Sequence, residues 1–324
     1  MSDERAELEH GVVPASGEGG TATPSLLDPS GGPSGLAAAR PAPIRIGTQT
    51  FTWGRRTYVA GIINITPDSF SGDGVLGDGG PAGGSGAIAR AVAQAEAMVA
   101  EGADLLDIGG ESTRPGHAQV GAAEEIERTV PVLRAIRATL PAIPLSIDTT
   151  KPAVAAAAIE AGADLLNDVW GVSADDRLAR LAAERGRPLI LMHNRAEARY
   201  TNLMAEVIAD LWRAIERAVA AGCPLDSLIV DPGFGFGKAP HHNLELLRRL
   251  PELQVLGRPV MLGTSRKSTL GRVLDLPAAE RLEATLATTA LAAAAGVDLV
   301  RVHDVRANVR AARMTDAVVR GGMP

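Results

Sequence analysis

Eight short apolar runs, spread evenly over the last ~280 residues, limit the folds open to this chain more than any other feature. They are YVAGIIN (58–64), DLLDIG (104–109), IPLSID (143–148), DLLNDV (164–169), PLILMH (188–193), SLIVD (227–231), PVMLG (259–263) and DLVRVH (298–303). Each is apolar at successive positions, as strands buried on both faces of a parallel sheet read. Ala-rich helical patterns separate them, over 85–101, 121–139, 152–161, 175–185, 203–221, 241–249, 279–295 and 304–319. Pro152 in a first helical turn, and Gly102, Gly162, Gly222 and Gly296 just past helix ends, supply the usual terminus chemistry. Eight strand–helix units in this length predict an α/β fold, a (β/α)8 TIM barrel, typically ~250 residues. Residues 44–57 read as a short extra β-segment before the first barrel strand. A doubly wound open sheet is the alternative, but the first run is not followed by the G-x-G-x-x-G of that class.

Residues 1–43 are different. They are rich in Gly, Pro, Ser and Ala, with few large apolar groups, and cannot bury enough surface to offset ordering entropy. The expected division is a disordered tail over 1–43 and one barrel domain over 44–324. A weak internal repeat runs through that domain: GADLLDIGG (102–110), GADLLNDVW (162–170) and GVDLVRVHD (296–304). One cysteine, Cys223, excludes a disulfide framework or a cysteine-rich zinc module. A net charge of −6 without basic runs argues against nucleic-acid partners, and no apolar stretch is long enough for a membrane span. The acidic start, MSDERAELEH, lacks a secretory apolar core, so a cytoplasmic location is expected.

In such a barrel the chemistry belongs at the C-terminal strand ends. Every run ends in polar groups: Asn64, Asp107, Asp148, Asn167–Asp168, His193, Asp231, then GTSRKS (263–268), then Arg301, His303 and Asp304. Any one of these serves readily as a helix N-cap. All eight together, several inside apolar strands, point further, because buried polar groups cost free energy unless paired. Composition sharpens this. Of 32 basic residues only Lys151, Lys238 and Lys267 are lysine, and each lies just past a strand end. Three of the four phenylalanines, Phe70, Phe234 and Phe236, lie in the same loops. Chance is the plain alternative for so few residues, and the sequence assigns Lys151 no role.

The donors and acceptors of Asp148, Asn167, Asp231 and Lys267 suit a flat, nitrogen-rich heterocycle. Ser265, Arg266, Arg301 and His303 sit where barrels commonly bind phosphate. Asn64 could give one oxygen to Mg2+, which takes most of its ligands from water and phosphate.

The strings GIINITPDSFSGDG (61–74), DLLDIGGESTRPG (104–116), LSIDTTKP (145–152), LLNDV (165–169), IVDPGFGFGK (229–238), LGTSRKSTLG (262–271) and RVHDV (301–305) resemble the dihydropteroate synthase family. The resemblance implies a homodimeric TIM barrel. It implies condensation of 6-hydroxymethyl-7,8-dihydropterin diphosphate with 4-aminobenzoate to 7,8-dihydropteroate and diphosphate. Diphosphate would leave first, giving a pterin-methylene cation that the amine then attacks. By similarity, Asp148, Asn167, Asp231 and Lys267 hold the pterin edge, Val169 and Met192 line its walls, and Arg301 stacks over its face. Asn64, Arg301 and His303 bind the diphosphate, Asn64 through Mg2+. Phe70, Thr113, Arg114, Pro115, Phe236 and Ser265 frame the aminobenzoate, and Phe70 and Asp73 close the first loop over the site. Asp73, Arg114, Lys267, Arg301 and His303 are the expected catalytic set. Two other classes compete: a pterin-binding module without synthase activity, and a Schiff-base lyase or isomerase using Lys267.

Overall fold

The computed structural model describes residues 40–66, 85–111, 120–171 and 175–321. The expected tail therefore lies outside the described residues except for its last four positions, as do Phe70, Asp73, Thr113, Arg114 and Pro115.

The chain first makes a two-stranded antiparallel hairpin, β1 (Ile44–Ile46) and β2 (Gln49–Phe51), in place of a single β-segment. Eight parallel strands follow: β3 (Tyr58–Asn64), β4 (Leu105–Gly109), β5 (Leu145–Asp148), β6 (Leu165–Asp168), β7 (Leu189–Met192), β8 (Leu228–Asp231), β9 (Met261–Leu262) and β10 (Leu299–Val302). Consecutive strands from β3 to β8 pair as neighbours, and β10 lies between β3 and β9. The ring closes through one bridge, Val230 to Val260, where the Val230 N–H donates to the Pro259 carbonyl at 2.9 Å. The expected barrel is what forms. Its seventh strand has only two residues, narrower than the apolar run 259–263 that announced it.

Helices α1 (Ser85–Ala100), α2 (Ala122–Thr139), α3 (Pro152–Glu160), α4 (Arg177–Glu184), α5 (Leu203–Ala220) and α6 (Pro240–Arg248) alternate with the strands. Short α7 (Ser268–Leu274), then α8 (Leu282–Ala294) and α9 (Val305–Asp316), complete the outer layer. The helical periodicity anticipated all of these but α7, whose seven residues carry too little pattern to read.

The internal repeat has a structural meaning. Its glycines end helices in the left-handed region, for example Gly162 at φ 110°. Its aspartates each accept the backbone N–H at the start of the preceding strand. Asp104 takes that of Val59 at 2.8 Å, Asp164 that of Leu145 at 3.1 Å, and Asp298 that of Val260 at 3.0 Å. The phrase is a clasp between neighbouring strands at the N-terminal end of the barrel.

Inside the ring, side chains follow the two-residue strand period. The lower layer is apolar: Ala60, Leu105, Leu165, Ile190, Ile229, Met261 and Leu299 pack in one cluster with the hairpin residues Ile44, Ile46, Phe51 and Trp53. Phe51, Trp53 and Tyr58 form an aromatic group, with ring centroids 4.7–5.6 Å apart. The hairpin is thus the floor of the barrel. A Phe51→Ala substitution should lower unfolding free energy by about 3–5 kcal/mol, measured by urea denaturation. A loss below about 1 kcal/mol would show that the hairpin is not part of the core.

Candidate active site at the barrel mouth

Two residues above four of the floor positions, those of Leu105, Leu165, Ile229 and Leu299, the chain turns polar. Leu105 is followed by Asp107, Leu165 by Asn167, Ile190 by Met192, Ile229 by Asp231 and Leu299 by Arg301. The same period that seals the floor therefore aims these side chains into the mouth, joined there by Asp148 from the end of β5.

The groups are hydrogen-bonded to one another. Arg301 donates from Nε to Asp107 Oδ2 at 2.5 Å and from Nη2 to Asp148 Oδ2 at 3.0 Å. Asn167 Nδ2 donates to the same Asp107 oxygen at 3.2 Å. The opposite oxygens, Asp107 Oδ1, Asp148 Oδ1 and Asn167 Oδ1, are buried and lack a hydrogen-bond partner. Burial pushes the Asp148 carboxyl up to about 7; Arg301 opposes the shift, and Asp107, Glu125 and Asp168 add to it. Burial also raises Asp231, against the pull of Lys267, the Gly233 N–H and Lys238. Burial works against the Arg301 charge, yet Asp107 and Asp148 hold its pKa above the ordinary value.

Asp107 is the residue that sequence reasoning left out of the site, although its position in a strand end was plain. The signal was the repeat. In GADLLD, GADLLN and GVDLVR the sixth positions are Asp107, Asn167 and Arg301, the three groups now joined through one carboxylate oxygen.

On the β9 side, Ser265 Oγ lies 2.9 Å from His303 Nδ1 and accepts the His303 backbone N–H at 3.2 Å. Residues assigned to different substrates by resemblance therefore share a hydrogen bond. Between Ser265 and Lys267, Arg266 adopts φ 57°, a left-handed conformation that costs a non-glycine residue free energy. Asp304 holds it through Nε at 3.1 Å and Nη2 at 2.7 Å, and Arg281 Nη1 donates to its carbonyl at 2.9 Å. Lys267 in turn donates to the Phe234 carbonyl and sits 4.3 Å from the Phe236 ring centroid. Val169 and Met192 are buried beside the polar layer, and Asn64 is half-buried at the end of β3. All the expected site residues that are described thus gather at one end of the barrel. Among the described residues no cluster of three or more His, Cys, Asp or Glu is arranged for a resident metal.

Comparison with known proteins adds a name to this arrangement. A family model described as pterin binding enzyme matches residues 60–303. A Clostridium beijerinckii protein named dihydropteroate synthase is 48% identical over 278 residues, covering 86% of this chain and 100% of the relative. This chain belongs to the dihydropteroate synthase family. Among solved structures of the family, the Clostridium difficile protein determined with pteroic acid matches at TM-score 0.78 and 45% identity, covering 83% of this chain and 99% of that one. The Xanthomonas albilineans protein with 4-aminobenzoic acid matches at TM-score 0.76 and 41% identity, covering 85% and 96%.

Lys151, unexplained by sequence, binds both Glu111 and Glu125, the latter at 2.6 Å. Burial opposes its charge, but the two carboxylates more than offset that and raise its pKa. Glu111 Oε1 also accepts the Val120 N–H at 3.0 Å, and Arg128 Nη1 donates to the Gly110 carbonyl at 3.0 Å. These bonds join the end of β4 to the start of α2. Glu125 is fully buried. Lys151→Met should therefore cost ~3 kcal/mol of stability in urea unfolding, by leaving an uncompensated buried carboxylate. The double variant Lys151→Met/Glu125→Gln should lose less; equal or greater loss would mean that charge compensation is not its role.

Proposed function

We propose that this chain condenses 6-hydroxymethyl-7,8-dihydropterin diphosphate with 4-aminobenzoate, yielding 7,8-dihydropteroate and diphosphate. One observation carries the reading: the floor of the mouth presents three buried oxygens, on Asp107, Asp148 and Asn167, that lack a partner. Buried acceptors of this kind are costly unless a ligand supplies N–H donors, as the amino-pyrimidine edge of a pterin does. Family membership over most of the chain supports it. The catalytic domain is taken as residues 44–324.

In this reading Asp148, Asn167, Asp231 and Lys267 hold the pterin edge, with Val169 and Met192 as apolar walls and Arg301 over the ring face. Arg301 and His303 meet the diphosphate, and Ser265 and Phe236 meet the aminobenzoate. Phe70, Asp73, Thr113, Arg114 and Pro115 join the aminobenzoate side and the closing loop on the resemblance alone.

The donor chemistry fits Mg2+ brought with the diphosphate. Asn64 would give it one amide oxygen, with phosphate and water supplying the rest, as this ion prefers. Its contribution there would be positive charge on the departing oxygens.

The reaction breaks the bond between the pterin methylene carbon and the bridging diphosphate oxygen, and the electron pair leaves with diphosphate. Arg301 and His303 stabilise that charge electrostatically, in a mouth whose polar groups are already oriented. The reduced pterin ring shares the positive charge left on the methylene. The aminobenzoate nitrogen then forms the new C–N bond and releases its proton to solvent. None of these steps needs a protein nucleophile. The chain is proposed to act as a homodimer on the resemblance alone.

Purified protein with both substrates and Mg2+ should release diphosphate and form 7,8-dihydropteroate; folded protein without turnover would favour a binding module. The pH dependence is also set. Ionised Asp148 accepts the pterin N–H groups, so affinity should be full above about pH 7 and fall as pH drops below it, at most about tenfold per unit. Calorimetric titration with 6-hydroxymethylpterin from about pH 5.5 to 8.5 checks this. Asp148→Asn should bind weakly with a flat profile, and affinity that rises toward acid would contradict the assignment.

A further inference from the structure

Lys238 ends the loop between β8 and α6, and its ammonium is buried. Three acceptors surround it: His193 Nδ1 at 2.8 Å, the Gly233 carbonyl at 3.1 Å and the Phe236 carbonyl at 3.2 Å. An ammonium has three donors and no acceptor, so the count matches. It also fixes the histidine. With Nδ1 accepting, the His193 proton sits on Nε2 and is donated to Asp210 Oδ2 at 3.1 Å on α5. Burial pushes His193 down to about 4, and Lys238 and Arg195 add to this against Asp210, so the ring is neutral. Arg195 braces Asp210 in turn, at 2.8 Å through Nε.

The loops after β7 and β8 are interlocked by these bonds. Tyr200 donates its hydroxyl to the Gly237 carbonyl at 2.8 Å. Gly233 is left-handed at φ 68°, and a Cβ there would fall 1.8 Å from the His193 carbonyl oxygen. The two carbonyls that Lys238 holds bracket Phe234 and Gly235. Between them the Phe234 carbonyl receives Lys267, whose ammonium faces the Phe236 ring.

We propose that Lys238 is a positioning residue for the condensation: by tying the Gly233 and Phe236 carbonyls to His193, it sets the Phe236 ring where the amine substrate is received. This rests on the synthase reading above. Arginine does not replace it, because a longer planar fork cannot meet three acceptors arranged around one nitrogen. Burial pushes the Lys238 ammonium down to about 7, with Lys267 and Arg195 adding to the push and Asp231 and Asp210 opposing it.

The test is steady-state kinetics of the full chain with pterin diphosphate, 4-aminobenzoate and Mg2+. Lys238→Met and Lys238→Arg should each raise KM for 4-aminobenzoate at least about tenfold while kcat falls less than about threefold. Tyr200→Phe removes only the bond to Gly237; it should raise the same KM about twofold to fivefold, and it supplies the answer if the lysine variants do not fold. A folded Lys238→Met protein with unchanged KM, a Lys238→Arg protein with wild-type KM, or an unchanged KM in Tyr200→Phe would each overturn the proposal. Wild-type protein without turnover would overturn the synthase reading and this inference together, whereas an active wild type with unaltered variants would overturn this inference alone.

Discussion

The mouth of this barrel is organised around one guanidinium. Arg301 comes from the last strand and bonds to Asp107 on β4 and Asp148 on β5. Three carboxylates, Asp107, Asp148 and Asp231, are nearly shut off from solvent there. Burial and the neighbouring carboxylates oppose the ionisation of Asp148, and the Arg301 guanidinium counters them. With it, Asp107 and Asp148 each keep one oxygen engaged and one oxygen open. In the proposed function, the half of each group that the internal pairing does not consume is what the pterin edge would meet. The internal pairing also holds those open oxygens in place before any ligand arrives.

Around that centre, the outer loops are fixed by charges placed at their roots. Lys151 joins the end of β4 to α2 through Glu111 and Glu125. The pair Arg266–Asp304 holds a left-handed turn between Ser265 and Lys267. Lys238 ties the loop after β8 to His193. The rarity of lysine in the chain becomes intelligible in these terms. Lys151 and Lys238 each meet several acceptors around a single nitrogen, a geometry that an ammonium fits and a planar fork does not.

Much of this was legible in the sequence. Apolar runs of five or six residues gave the strands, because parallel strands buried on both faces leave no alternation to obscure them. The described residues assigned to the site by resemblance do gather at the C-terminal end of the ring. Other features were hidden for physical reasons. The helix α7 is too short to show a period, and β9 is too short to pair along the whole run that predicted it. Asp107 looked like any strand-end polar group until the two-residue period placed it one layer above Leu105. The side-chain partners of Lys151 and Lys238 lie 26 to 45 positions away, beyond the reach of local pattern.

The closing strand bears on how the molecule comes into being. From β3 to β8 each strand pairs with its sequence neighbour, so those units add through contacts close in sequence. The joint between β10 and β3 spans nearly the whole domain, and loop closure of that kind carries the largest entropic cost in assembly. Arg301 rides on the strand that makes this joint. Until β10 pairs, Asp107 and Asp148 lack the Arg301 guanidinium, so the polar layer of the mouth is completed only with that joint.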